Sequence, residues 1–378
     1  MTDGSEDLVK AADRAAARVL PDEALGAPPG QKSVLVKVLS AALSGGLVVL
    51  LFAVIIPAIG SLSGVWDAIR SMSWEAVLLF VVVALVIRVL LAQAYAVLIP
   101  GLSLFRSLIA REASSAVSNV VPGPSGTATQ YVILRSWRVS TESFASATIS
   151  VGVVTDVLVF SAPGIFFVIW ALLGMPGSAG NDNVWAIGLC ALAVSVIAVG
   201  VVVGVASKER LAAATGRVAQ RCANPFRRLA HKPRITDWPD RFVELRASTL
   251  QQLKDREWAF IGCIFGGYLL NGLLLVWCIW ECGVDRSALP LSLGLMLYSV
   301  GRIATVINLT PGGVGVAEVV YTAVYVAVLG ESSHDAVLAG VLVYRALTYV
   351  LPMITGAVSY VIWRVMRHRE LHAEAAAA

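Results

Sequence analysis

Residues 184–206, VWAIGLCALAVSVIAVGVVVGVA, contain no charged side chain. Wound as an α-helix, such a stretch is about 35 Å long and satisfies its own backbone hydrogen bonds. It can cross a bilayer, and similar stretches at 38–58, 77–99, 143–173, 258–280 and 337–364 bring the expected full spans to six. Composition rules out the alternative of a very large soluble core. Hydrophobic residues make up 57% of the 378 and charged residues 14%, against about 25% charged in soluble domains. The pattern is that of an all-α polytopic membrane protein. Trp74, Trp170, Trp185, Trp258, Trp280 and Trp363 fall near the ends of these stretches, where amphipathic rings favour the interface.

Residues 1–37 are polar, and the span that follows them is too long for a signal-peptide core, so no secretory signal is expected. Within them, residues 5–20 are compatible with an amphipathic helix ahead of the linker ALGAPPGQK. Five cysteines without a CxxC spacing do not suggest a disulfide framework. With the amino terminus inside, 24 of the 29 Lys and Arg fall in cytoplasmic segments and only Arg70 and Arg286 in outer loops. That asymmetry predicts both termini in the cytoplasm, and the net charge of +4 then needs no nucleic acid to explain it. The 207–257 loop holds 12 basic and 6 acidic residues. It reads either as a topology determinant or as amphipathic helices on an anionic leaflet.

Two more apolar regions, 106–138 and 288–330, are each interrupted by one motif. NVVPGPSG at 119–126 and NLTPGGVG at 308–315 share N-x-x-P-G-x-x-G. Downstream, Asp156 follows Asn119, and Arg345 follows Asn308, by the same 37 residues, and Pro163 and Pro352 each follow by 44. Two halves of the chain therefore read as copies, each span, span, hairpin, span, with the second hairpin either re-entrant or a pair of full spans. The charge-derived topology makes them antiparallel, an inverted repeat of the kind transporters use. The expected organisation is a tail (1–37), a first repeat (38–206), the basic loop (207–257), the rest of the second repeat (258–364) and a tail (365–378).

Proline removes a backbone donor and glycine permits a reversal, so each motif ends one half-helix and starts another. The amides at a new helix start favour anions, and such a break is tolerated at membrane depth only inside protein or beside a wet cavity. A packed Pro/Gly kink is the alternative. The first motif contributes Asn119, Pro122, Gly123, Gly126 and Thr127 as candidate substrate-binding residues. The second contributes Asn308, Thr310, Pro311, Gly312, Gly313 and Gly315. The two asparagines can satisfy freed backbone groups and the two threonines can cap. Arg88, Asp156, Arg302, Glu318 and Arg345 lie within apolar segments, where each costs at least about 2.5–3.5 kcal/mol unless paired or hydrated. Three bases and two acids suit a phosphodiester; the alternative is that the acids only bridge Arg302 and Arg345. Arg88 reads also as a snorkelling or locally paired side chain.

His231, His334, His368 and His372 all fall outside the expected spans, which argues against a histidine-based metal or nucleophile site in the membrane. Ser125 accordingly reads as a turn or capping hydroxyl. No Walker loop is present, and no cofactor is expected.

The motif pair, above all TPGGVGVAE at 310–318, resembles the transmembrane region of the lysylphosphatidylglycerol synthase/flippase family over roughly residues 35–365. This family includes the lipid-translocating half of the bacterial multiple peptide resistance factor. The first copy continues here as Thr127-Ala128-Thr129, where the family usually has an acidic residue or arginine. Gly152 and Val153 stand ahead of Asp156 in place of a Glu-Arg pair. The synthase half is not expected, since the chain runs out at RHRELHAEAAAA. The resemblance implies a non-enzymatic flippase of the bacterial inner membrane for an anionic or aminoacylated phospholipid or related lipid-linked substrate. Its partners would be anionic lipid headgroups and a separate lipid-modifying synthase. A secondary transporter of a small soluble anion, and a scaffold for such a synthase, are the other readings.

Overall fold

The computed structural model describes residues 67, 70, 72–121, 125–173, 182–229, 236–240, 242–244, 247, 256–306 and 311–377. The amino-terminal segment, the expected span at 38–58, Pro122, Gly123, Asn308 and Thr310 lie outside the described residues. The regular elements are α1 (Trp74–Leu98), α2 (Leu104–Val120), α3 (Ser125–Ser136), α4 (Thr141–Leu172), α5 (Asp182–Ser207) and α6 (Glu209–Leu229). They continue as α7 (Glu257–Glu281), α8 (Leu291–Ala304), α9 (Val316–Leu329) and α10 (His334–Arg345), with a π-helical turn (Ala346–Val350) leading into α11 (Leu351–Ala377). Serines start three of them: Ser73, Ser103 and Ser140 accept hydrogen bonds from the amides of Ala76, Arg106 and Ser143.

Five helical stretches are long and apolar enough to cross a membrane: Trp74–Leu98, Thr141–Leu172, Val184–Val201, Glu257–Glu281 and the continuous Glu331–Glu370. They coincide with the five expected spans inside the described residues. The bundle is also apolar on its outside, with Val196 and Ile197 of α5 63% and 67% exposed. A water-soluble protein hides such faces, so this is a multi-pass membrane protein. Trp74 and Trp258 stand exposed at helix starts, as interfacial rings would. Trp170 differs from expectation: it is buried against Phe167 and Trp185 and serves packing.

Both interrupted regions double back on themselves. In the first, Ile109 and Ala110 of α2 share a core with Ile133 and Leu134 of α3. The Ser114 hydroxyl donates to the Gly126 carbonyl at 2.8 Å. A Cβ on Gly126 would come within 2.8 Å of the Ser118 side chain, so only glycine lets the arms close here. In the second, the rings of Tyr298 and Tyr321 stack at 6.0 Å and the Tyr325 hydroxyl donates to the Gly294 carbonyl at 2.7 Å. Helices α8 and α9 have 14 residues each. That is about 21 Å, short of the roughly 30 Å hydrocarbon core.

The hairpins are then exchanged between the halves: α2 packs along α11, the helix after the second hairpin, and α8 packs along α4, the helix after the first. Helix α7 packs along α1 at the centre, with Gly267 against Leu91 and Gly272 against Leu295 and Tyr298. Small residues set these approaches because lipid supplies no hydrophobic drive between helices.

Each half also carries one proline in its long helix, and each is accommodated differently. Pro163 interrupts α4, and the Ser195 hydroxyl of α5 accepts from the Gly164 amide at 2.8 Å while lying 3.0 Å from the Phe160 carbonyl. A neighbouring helix thus replaces the broken bond. Pro352 has no N–H for the Thr348 carbonyl, and its ring crowds that carbonyl. The chain answers with the π turn just before it, in which the Leu351 amide reaches back to the Ala346 carbonyl.

Gly356 of α11 lies directly on the Glu112 carbonyl and Ala116 of α2, whereas Gly152 of α4 faces open space. Gly356→Leu is expected to abolish monodisperse protein on fluorescence-detected gel filtration, and Gly152→Ala to leave the profile unchanged.

Candidate functional site

The second motif folds into a turn that three glycines make possible. Gly312, Gly313 and Gly315 have φ of 60°, 69° and 83°, the left-handed region that side chains disfavour. Pro311–Gly313 forms a single 3-10 turn, and α9 begins at Val316. Glu318, in the first turn of α9, reaches back so that one carboxylate oxygen accepts from the Gly315 amide at 2.6 Å. Its other oxygen accepts from Arg345 Nε at 2.8 Å, and Arg345 Nη2 donates to the Gly312 carbonyl at 2.8 Å. One ion pair therefore closes the turn from both sides, and Glu318 is 6% exposed. The carboxylate is spent on this lock. The Gly315 amide, expected to be open to an anion, is taken by Glu318.

The lock extends to the first motif. The Arg345 guanidinium lies 5.4 Å from the centre of the Tyr349 ring. Tyr349 donates its hydroxyl to the Asn119 carbonyl at 3.1 Å, and the Asn119 side-chain amide donates to the Tyr349 carbonyl at 3.1 Å. A Cβ on Gly312 would fall within the Tyr349 ring and 3.2 Å from Asn119 Oδ1. Asn119 of one motif and Gly312 of the other are thus neighbours, with the π-turn tyrosine between their helices. Asn119 serves backbone groups as expected, although those groups belong to a distant helix.

Arg302, near the end of α8, is held differently. Its Nη1 donates to Thr305 Oγ1 at 3.3 Å, and Tyr268, Tyr298, Tyr321 and Tyr344 gather around it. These phenols stack edge to face or in parallel at 5.3–6.0 Å. Asp156 of α4 lies within electrostatic reach of Arg302, yet the two form no ion pair among the described residues. Asp156 is exposed and Arg302 half-buried, on two helices, α4 and α8, that pack together. The expected Asp156 bridge is absent because the carboxylate stays on the open side of α4.

The first half holds a second ion pair. Arg88 Nε donates to Glu112 Oε1 at 2.7 Å, and Thr355 of α11 donates its hydroxyl to the other oxygen of Glu112. Arg88 is therefore locally paired. Arg111 is adjacent, with its guanidinium 5.6 Å from the centre of the Tyr95 ring. Glu112, Arg111, Tyr349 and Thr355 were not singled out by the sequence. From the sequence, Glu112 and Arg111 fall at the start of the first hairpin, and Arg111 counts only among the cytoplasmic basic residues. Only tertiary packing buries Glu112, to 3% exposure.

The remaining candidates take simpler positions. Gly126 is a packing glycine between α2 and α3, as above. Thr127 is exposed and makes no capping bond among the described residues. Ser125 donates its hydroxyl to the Val121 carbonyl at 2.6 Å and so closes the turn. Cys190, Cys263, Cys278 and Cys282 are free thiols. Among the described residues no group of three or more His, Cys, Asp or Glu could hold a metal ion.

A polytopic bundle with two broken helices, linked through Asn119 and Tyr349 and holding two buried ion pairs, defines an integral membrane protein. The profile of the lysylphosphatidylglycerol synthase TM region matches residues 34–356, and the chain belongs to that family. No curated protein matches it.

Removing one partner of the buried lock leaves the other charge stranded. Glu318→Gln and Arg345→Met should each destabilise by about 3–5 kcal/mol, and the double variant by clearly less than their sum. Melting of the purified proteins in detergent checks this.

Proposed function

We propose that the protein is a lipid flippase of the bacterial inner membrane with both termini in the cytoplasm. It moves an anionic or aminoacylated phospholipid, or a related lipid-linked substrate, and does no covalent chemistry on it. The observation that carries this reading is a carboxylate and a guanidinium within electrostatic reach of each other on two apolar helices, Asp156 exposed and Arg302 half-buried. A guanidinium suits the phosphodiester and a carboxylate suits an amine, and together they match a headgroup that bears both.

The exchanged packing of the hairpins and the short arms of the second one support an inverted repeat with re-entrant hairpins meeting in the protein's interior. In that frame Glu318 and Arg345 hold the turn in shape, and Arg302 and Asp156 read the headgroup. Membership of the lysylphosphatidylglycerol synthase TM region family supports a lipid rather than a soluble anion as cargo.

The test is reconstitution into liposomes with fluorescent phosphatidylglycerol, with translocation read by chemical quenching. Arg302→Ala should lower the rate at least tenfold while the protein still elutes as one folded species on gel filtration. Asp156→Asn should slow an aminoacylated lipid more than phosphatidylglycerol itself. Full activity of both variants, or competition by millimolar soluble phosphate, defeats the reading.

A further inference from the structure

The cluster in the first half contains more positive charge than it neutralises. Arg88, Arg111 and Glu112 lie within interaction range of one another, two guanidinium groups for one carboxylate. Neither arginine can shed its proton at physiological pH. Glu112 is fully committed, to Arg88 through one oxygen and to Thr355 through the other. Arg88 Nη2 and Arg111 Nε are both buried and have no hydrogen-bond partner. Orphaned donors of a charged group are costly in a medium without water, and an arginine is normally kept there for an anion it binds.

We infer that Arg88 and Arg111 form a phosphate-binding site distinct from the Asp156–Arg302 pair. The two guanidinium groups would donate to the oxygens of a phosphate monoanion, with Glu112 fixing Arg88 and the Tyr95 face supporting Arg111. Thr355 follows Arg345 by ten residues on one continuous helix, which places this site about 15 Å along the helix from the lock at the second motif. On the flippase reading, on which the choice of lipid rests, this is a second station for the headgroup. The phosphate can equally arrive as a free ion, and the test separates the two sources.

Purified protein in detergent is titrated with phosphatidylglycerol, with diacylglycerol of the same chains, and with inorganic phosphate, and thermal melting is followed. Phosphatidylglycerol should raise the melting temperature and diacylglycerol should not. Arg111→Gln should melt no lower than wild type without lipid, since it removes an unpaired buried charge, and should bind phosphatidylglycerol about 10- to 100-fold more weakly. Stabilisation by inorganic phosphate alone, lost in Arg111→Gln, keeps the site and makes its ligand the free ion. If Arg111→Gln does not fold, Arg111→Met, of similar length and without a polar group to strand, carries the same test. Unchanged affinity in the variant overturns the site, as does failure of both variants to fold, which would make Arg111 structural. Because binding is read without transport, a protein that binds through Arg111 but moves no lipid refutes the flippase reading alone.

Discussion

An arginine that cannot be neutralised meets a carboxylate at the point where the chain has broken its own helix. The pair Arg345–Glu318 takes up the Gly315 amide and the Gly312 carbonyl, backbone groups that the PGGVG turn leaves without helical partners. In lipid those groups have no water to turn to, so the turn is viable only because charge-assisted hydrogen bonds replace the missing ladder. The pair is therefore the reason the break can exist. Loss of either partner would expose the turn as well as a charge.

The long helix of α10, the π turn and α11 is the strut that connects the two buried ion pairs. Arg345 at its π turn holds the second motif, Tyr349 within the turn holds Asn119 of the first, and Thr355 beyond it holds Glu112. Pro352 causes the widening that lets Tyr349 sit between the motifs. Comparable burial elsewhere is achieved without charge: at Pro163 a single serine from the next helix suffices. The difference lies in what each proline has to position. One keeps a transmembrane helix continuous; the other sets a polar junction.

The ionisable residues divide by how fully they are satisfied. Glu318, Arg345 and Glu112 are committed to partners inside the protein and act on shape. Arg302 and Asp156, which form no ion pair, and Arg111, with an orphaned donor, hold charge in reserve. Committed pairs give conformational specificity more readily than they give net stability. Charges in reserve are what a substrate headgroup can complete.

The sequence alone determined the solvent, the helical class and the places where the helices break, because an uncharged stretch of twenty residues and a Pro-Gly turn act locally. Asp156, Arg302, Glu318 and Arg345 were visible for the same reason: a charge inside an apolar run is conspicuous wherever the run goes. Their pairing was not visible. Arg345 lies 27 residues from Glu318, and Asn119 lies 230 from Tyr349. Which of the five intramembrane charges, Arg88 included, meet depends on how the long helix passes the two hairpins. Glu112 and Arg111 stayed hidden because the short polar face of α2 looks like a loop until α11 covers it. Tertiary structure decided these points, since burial and hydrogen-bond completion belong to the packed bundle and to no single segment.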